Sequence, residues 1–276
     1  MDVSRFRLWD RRKRVGILIT INLVSLTALC FAPRIPLGSS YHEFADKRAI
    51  LGIPNGLDVL SNLPFVFAGV WGIAWLFLKS TAAAFTDPRE RLPYIVFFAG
   101  VALTGAGSFW YHLSPGDSRL PWDLLPMTCS FMSMVVGVVM ERINIRAGLS
   151  IFLPLLLFGM ASVAYWDFTG DYRFYLFVQF FPPILLAAII LLFPPKYTHS
   201  YLLLVAFIFY VAAKLFEVYD SQIYMLGEFV SGHSLKHVTA ALSCFWILLV
   251  LIKRRVIGRT SEGRQVRFAA YNNKLI

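Results

Sequence analysis

Two histidines four residues apart, His233 and His237, lie in the opening turn of one apolar run, and His112 closes another within Ser108-Phe109-Trp110-Tyr111-His112. Asp123 begins the next run. Imidazoles and carboxylates are costly in hydrocarbon, so at the mouths of membrane helices they call for water, a partner or a metal. Residues four apart on a helix stack on one face, so His233 and His237 can offer two imidazoles to one ion, while Ser108 lies one turn below His112. Three neutral imidazoles on Zn2+ leave one tetrahedral position for water, the open arrangement of a catalytic site. Such an ion lowers the pKa of its water toward about 7 and polarises a carbonyl. Asp123 is then placed to accept the water proton and return it to a leaving amine. The Ser108 hydroxyl can orient the water or donate to a developing oxyanion. Each residue also has a plainer reading: a His pair at this spacing also suits an interface, a proton relay or haem ligation, a membrane Ser bonds its own i−4 carbonyl, and Asp123 stands where a helix N-cap would. Their conjunction favours the metal.

The elements that position these groups follow from composition. Of 276 residues, 58% are hydrophobic, 16% aromatic and only 15% charged, and the mean hydropathy is +0.63. No ordinary soluble chain is so apolar. Runs of bilayer-crossing length fall near residues 15–32, 57–78, 93–113, 123–141, 148–166, 173–193, 200–217 and 232–252. These predict eight helices. The runs are too long and alternate too little for barrel strands, and open sheet is excluded from lipid, so the expected class is an all-α, polytopic transmembrane helical bundle. Three parts are expected: residues 1–56, a basic N-terminus with an extra helix and an outer loop; 57–252, a seven-helix membrane domain; and 253–276, a flexible basic tail. The first run resembles a signal peptide in its basic start, but its length and the lack of a small-residue cleavage site before Pro33 predict a retained helix. Cys30, Cys129 and Cys244 all fall in apolar runs and read as packing residues. No internal repeat or low-complexity segment stands out.

The net charge of +10 reads as a basic inner face that meets anionic lipid headgroups, with no nucleic-acid role. With the N-terminus inside, the cytoplasmic segments hold Arg5, Arg7, Arg11 to Arg14, Lys79, Arg89, Arg91, Arg142, Arg146, Lys196, Lys253 to Arg255, Arg259, Arg264, Arg267 and Lys274. The opposite side holds only Arg34, Lys47, Arg48, Arg119 and Arg173. That asymmetry puts both termini in the cytoplasm. The orientation owes nothing to the histidines, yet it places His112, Asp123, His233 and His237 at one depth, near the outer interface.

These residues carry a resemblance. Ser108-x3-His112, Asp123 eleven residues further on, and His233-x3-His237 resemble the alkaline ceramidases, of the membrane hydrolase superfamily that also includes the progestin and adiponectin receptors and the Per1-like proteins. Ser61-Asn62-Leu63-Pro64, Gly107-Ser108-Phe109-Trp110-Tyr111-His112 and Leu124-Leu125-Pro126-Met127 extend the likeness from about Asp58 to Ile252. The resemblance implies a zinc-dependent amidase that cleaves the N-acyl bond of a ceramide-like lipid to a long-chain base and a fatty acid. It implies His112, His233 and His237 as zinc ligands, Asp123 as the residue that works on water, and Ser108 as a transition-state helper. A site between helices near the outer leaflet suits a two-chain lipid whose amide lies at the headgroup boundary. The chain departs from the calcium-regulated members: the loop from Phe44 to Asp58 offers the oxygen donors Asp46, Asn55 and Asp58, which a Ca2+ ion would need, but it adds Lys47 and Arg48 and lacks a tryptophan. That departure weighs against calcium.

Lys236, beside His237, is a second departure; it is expected to snorkel to the interface or to meet an anionic or hydroxylated headgroup. Lys214 and Glu217 are spaced for an intramembrane ion pair. Asp220 and Glu228 read as a solvated edge, His42 and His199 as solvated and without partners, and Asn62 as a brace that must find a hydrogen bond. No obligate protein partner is evident. The alternatives are a receptor or channel with a structural zinc, a haem-binding electron carrier, and a hydrolase of another lipid amide or ester. A structural zinc has no need of a base at Asp123, and haem leaves Asp123 and Ser108 without a role.

Overall fold

A computed structural model describes residues 10–257, with the side chains of residues 79, 80 and 82 left out. The basic residues of both ends, Arg5 and Arg7 and then Arg259 to Lys274, lie outside the described residues, as does most of the expected tail. Among the described residues, 74% are helical and there is no strand beyond isolated bridges. Ten α-helices follow in order: α1 Arg11–Phe31, α2 Gly56–Leu60, α3 Leu63–Phe77, α4 Arg91–Leu113, α5 Leu120–Arg142, α6 Ile145–Thr169, α7 Arg173–Leu192, α8 Leu202–Val218, α9 Asp220–Tyr224 and α10 Gly232–Lys253. Among the described residues, seven helical stretches are long and apolar enough to cross a membrane: α1, α2 with α3, α4 with its preceding turn, α5, α6, α7 and α10. These make the chain a multi-pass membrane protein. The run expected at 200–217 is the helix α8 of 17 residues, at the lower bound of spanning length.

Local chemistry sets the helix ends. Asn144 caps α6 by accepting from the amides of Arg146 and Ala147 at 2.8 and 3.2 Å, and Gly170 ends it in the left-handed region at φ +71°, where only glycine is unstrained. Ser231 caps α10 by accepting from the Ser234 amide at 3.0 Å. Asp123 is not an N-cap: α5 starts after Arg119, which puts Asp123 inside the first turn. The Pro64 ring sits in the first turn of α3, where its missing amide costs nothing.

The middle of the bundle is built on α4 and α5, which pack on each other and on α3 and α6, while α10 packs chiefly on α8. Of the seven spans, α5 is the most buried and α1 the least; α1 lies at the edge against α7. Small residues let the backbones approach. At Gly107 a Cβ would stand 1.9 Å from the Trp122 carbonyl oxygen, so only glycine lets α4 meet the start of α5 here. At Gly232 a Cβ would stand 2.2 Å from the Phe216 carbonyl oxygen, so the start of α10 lies against the end of α8. Both contacts fall beside residues with chemical potential, Ser108 and Asp123 in one case and His233 in the other.

The far end of the bundle is closed by polar links. Arg254 is buried, with its guanidinium over the rings of Tyr197 at 4.2 Å and Phe85 at 4.3 Å and paired with Glu141 at 3.1 Å. Glu90 takes bonds from Lys196 and Tyr197.

Candidate metal centre

The end of α4 and the start of α10 bring three imidazoles together. His112, His233 and His237 are 0%, 6% and 3% exposed, and their ligand atoms all lie within 4.8 Å of one another. The Nε2 atoms of His112 and His233 are 3.2 Å apart, an approach that needs a shared proton or a cation between them. Nitrogens that share a tetrahedral zinc stand roughly 3.3 Å apart, given Zn–N bonds of about 2.0–2.1 Å. The rings meet edge to face, with centroids 4.7 to 4.9 Å apart.

The surroundings orient these rings. The Ser61 Oγ lies 2.8 Å from His237 Nδ1 and donates to the Asp58 carbonyl at 3.1 Å. With its only proton so committed, the hydroxyl accepts from Nδ1–H, which leaves the Nε2 lone pair of His237 for a ligand. This is the second-layer bond that metal-binding histidines use to fix their tautomer. Phe44 packs on His112 and His233, with centroids 4.6 and 4.3 Å away, and excludes water from that side. The Asn55 amide nitrogen donates to the His112 carbonyl at 2.9 Å. Asp220 accepts from the amides of His233 at 2.7 Å and Ala45 at 3.0 Å, so it joins the start of α10 to the loop between α1 and α2. Ser231 and Ser234 donate to Asp58 Oδ1 at 3.1 and 2.5 Å, which locks α10 to α2.

Three buried polar atoms around the imidazoles have no hydrogen-bond partner among the described residues: His112 Nδ1, Asp58 Oδ2 and Asn62 Oδ1. Buried groups are normally satisfied, so orphans gathered beside a cluster of imidazoles fit a site that takes up an ion or water. Asp123 and Ser108 belong to the same end. Both are buried, the Ser108 hydroxyl faces the Asp123 carboxylate, and the Gly107 contact sets the two helices at that separation. The donor set fits a divalent metal such as zinc: three neutral nitrogens, with a carboxylate and a hydroxyl nearby that are free of other ionic partners.

Of the oxygen donors considered for calcium, Asp46 is engaged elsewhere. Both carboxylate oxygens of Asp46 accept from the Arg48 guanidinium, at 2.8 and 2.7 Å, and that pairing holds the Asp46 carboxyl below its usual range. The two serines hold only Oδ1 of Asp58, and Asn55 bonds the His112 carbonyl through its amide nitrogen and not its oxygen. The structure supplies a cation from the chain itself, Arg48, at Asp46.

Other residues depart from their expected places. His42 is partly buried and bonded, with Nδ1 2.7 Å from the Tyr111 hydroxyl and Nε2 2.9 Å from Asp117. His199 pairs with the Thr198 hydroxyl at 2.9 Å. Asn62 donates to the Asp58 carbonyl at 2.8 Å, as a brace should. Lys214 bonds Glu217 at 2.5 Å, as the spacing suggested, but Glu217 also holds Lys236 at 3.1 Å. The roles of Ser61, Phe44 and Asp220 went unread in the sequence, since serine, phenylalanine and aspartate near helix ends have many ordinary duties.

Fold and site together define a helical membrane protein with a buried three-histidine centre able to hold a metal ion. Comparison with protein-family models, with curated proteins and with solved structures gave no match.

Removing the Ser61 hydroxyl tests the tautomer argument. Ser61→Ala is expected to weaken zinc binding by roughly 10-fold to 100-fold, the usual effect of losing such a bond, while leaving the helical content unchanged. Competition with a chelator of known affinity reads the change; equal affinities would remove Ser61 from the site.

Proposed function

We propose that this chain is a zinc-dependent membrane amidohydrolase that cleaves the N-acyl bond of a ceramide-like lipid to a long-chain base and a fatty acid. The observation that carries the reading is the convergence of His112, His233 and His237 beside an Asp123 and a Ser108 that face each other. The likeness of these positions to the alkaline ceramidases supports the same conclusion. On this reading eight helices cross the bilayer, with α8 as the shortest, α1 is an addition to a seven-helix core, both termini are cytoplasmic, and the site lies near the outer leaflet.

His112, His233 and His237 hold the ion, which when bound supplies Lewis acidity that activates water and polarises the acyl carbonyl. Asp123 takes the proton of the attacking water and returns it to the nitrogen of the leaving amine, as a single carboxylate working first as base and then as acid. Ser108, one turn below His112, donates to the oxygen that gains charge as the carbonyl becomes tetrahedral. Phe44 and the buried wall of α4 keep bulk water out. Edge-to-face rings at 4.8 Å for His112 and His233 leave no room for a porphyrin between them, which weighs against haem.

The test uses the purified chain in detergent. About one zinc per chain and fatty-acid release from a panel of neutral and headgroup-bearing ceramides are the expected results. A protein that holds zinc stoichiometrically but releases no fatty acid from any member of the panel would be a binding protein, and the hydrolase reading would fail.

A further inference from the structure

The second lysine of the outer end is unexplained by the hydrolytic machinery. Glu217 on α8 bonds Lys214 Nζ through Oε2 at 2.5 Å and Lys236 Nζ through Oε1 at 3.1 Å. One carboxylate therefore serves two ammoniums, with both its oxygens taken. Each ammonium has three donors, and for the rest of Lys214 the structure offers the face of the Phe180 ring at 5.4 Å. The side chains of Lys214, Lys236 and Glu217 remain 21%, 18% and 33% exposed, so the group is partly and not fully enclosed. Of the other carboxylates near this site, Asp58 takes two serine bonds through Oδ1, Asp220 two backbone amides and Asp46 the Arg48 guanidinium, and none of them makes an ion pair with either lysine. Asp123 faces Ser108.

Position adds to this. Lys236 lies between His233 and His237 on α10 and is the foremost charged neighbour of Asp123 and of all three imidazoles; Lys214 also acts on Asp123 and His233. An ammonium in an apolar wall is costly unless something neutralises it. Glu217 balances one of the two charges, and neither lysine has a carboxylate in ion-pair contact beyond the shared Glu217, which leaves room for a ligand that brings its own negative charge.

We infer that Lys214 and Lys236 form an anion subsite beside the metal centre, and that the lipid cleaved here carries an anionic group close to its scissile amide. The chemical class is an N-acylated amine with a carboxylate, phosphate or sulfonate on the amine side, which ammoniums bind as point charges. The substrate clause rests on the amidase reading of the centre; the subsite itself rests on the lysines alone.

Equilibrium binding to the full-length chain in neutral detergent separates the two. The probes are N-palmitoylglycine and hexadecyl phosphate, against the uncharged monopalmitoylglycerol. The parent is expected to bind one or both anions at least roughly 10-fold more tightly than the neutral probe, and which anion wins identifies carboxylate or phosphate as the source. Lys214→Gln and Lys236→Gln are each expected to bring that ratio toward unity, whereas Glu217→Gln, which frees a charge, should keep or raise it. A general packing defect would weaken all three probes together and leave the ratio intact. Equal affinities in the parent, or a ratio unchanged in both lysine variants, overturn the inference. Hydrolysis of N-palmitoylglycine and of a neutral ceramide is measured alongside: a retained binding preference with no cleavage of either refutes the amidase reading alone, and faster cleavage of the neutral lipid refutes the substrate clause.

Discussion

Asp123→Asn is expected to lower fatty-acid release by roughly 100-fold or more, the scale of losing a general base. The change replaces one oxygen of a buried side chain by nitrogen, so the volume in the first turn of α5 is unchanged and the Gly107 approach to Trp122 is preserved. What disappears is the ability to hold a proton between its removal from water and its delivery to the amine. An amide can still face the Ser108 hydroxyl, and Lys236 loses only a nearby negative charge. Zinc content and helical content should therefore match those of the parent, which separates lost chemistry from lost structure. If the variant keeps full activity with equal metal, Asp123 has no part in proton transfer and another group must be sought. Parallel loss of metal and activity would instead make Asp123 a contributor to the ion's surroundings.

The histidine cluster was legible because its signal is local and exclusionary. Imidazoles at His112, His233 and His237 stand out in apolar runs, the i, i+4 spacing of two of them is fixed by helix geometry, and charge asymmetry puts all three at one end without further information. The helical class was equally legible, from run length alone. The parts that stayed hidden are those made by tertiary contact. Nothing periodic links Ser61 to His237 across 176 residues, or Phe44 to the rings it covers. The loop between α1 and α2 has no repeat to read, yet it carries Phe44 and Asn55 to the site. His42 looked solvated because its partners, Tyr111 at the end of α4 and Asp117 in the loop after it, are distant in sequence. Glu217 was legible only in part: the spacing to Lys214 predicts one ion pair, and the second, to Lys236, depends on the close approach of α8 and α10 that Gly232 allows. α8 begins two residues later than the apolar run at 200–217, since such a run records hydrophobicity while turn residues such as Ser200 set where a helix begins.

His233→Ala should abolish stable zinc binding and, with it, hydrolysis above background. Three imidazoles and one outside ligand complete a tetrahedral site; taking away one of three leaves two protein donors, and the ring nearest to His112 is gone, since these two Nε2 atoms stand 3.2 Å apart. The thermodynamic consequence is measurable without any substrate. An ion that binds only the folded state stabilises it by RT ln(1 + [L]/Kd), about 4 kcal/mol at a thousand times Kd, so zinc should raise the unfolding temperature of the parent and a chelator should reverse it. The variant is expected to unfold at one temperature with zinc or with chelator. Alanine also leaves a hole under Phe44, which packs on the missing ring at 4.3 Å, and that lowers the variant's baseline stability by a cavity cost on the order of a few kcal/mol. The comparison that decides is hence the zinc-dependent difference within each protein, not the absolute temperature. A variant whose unfolding still responds to zinc as the parent's does would place the ion elsewhere, and the convergence of the three rings would then be a packing arrangement of neutral imidazoles.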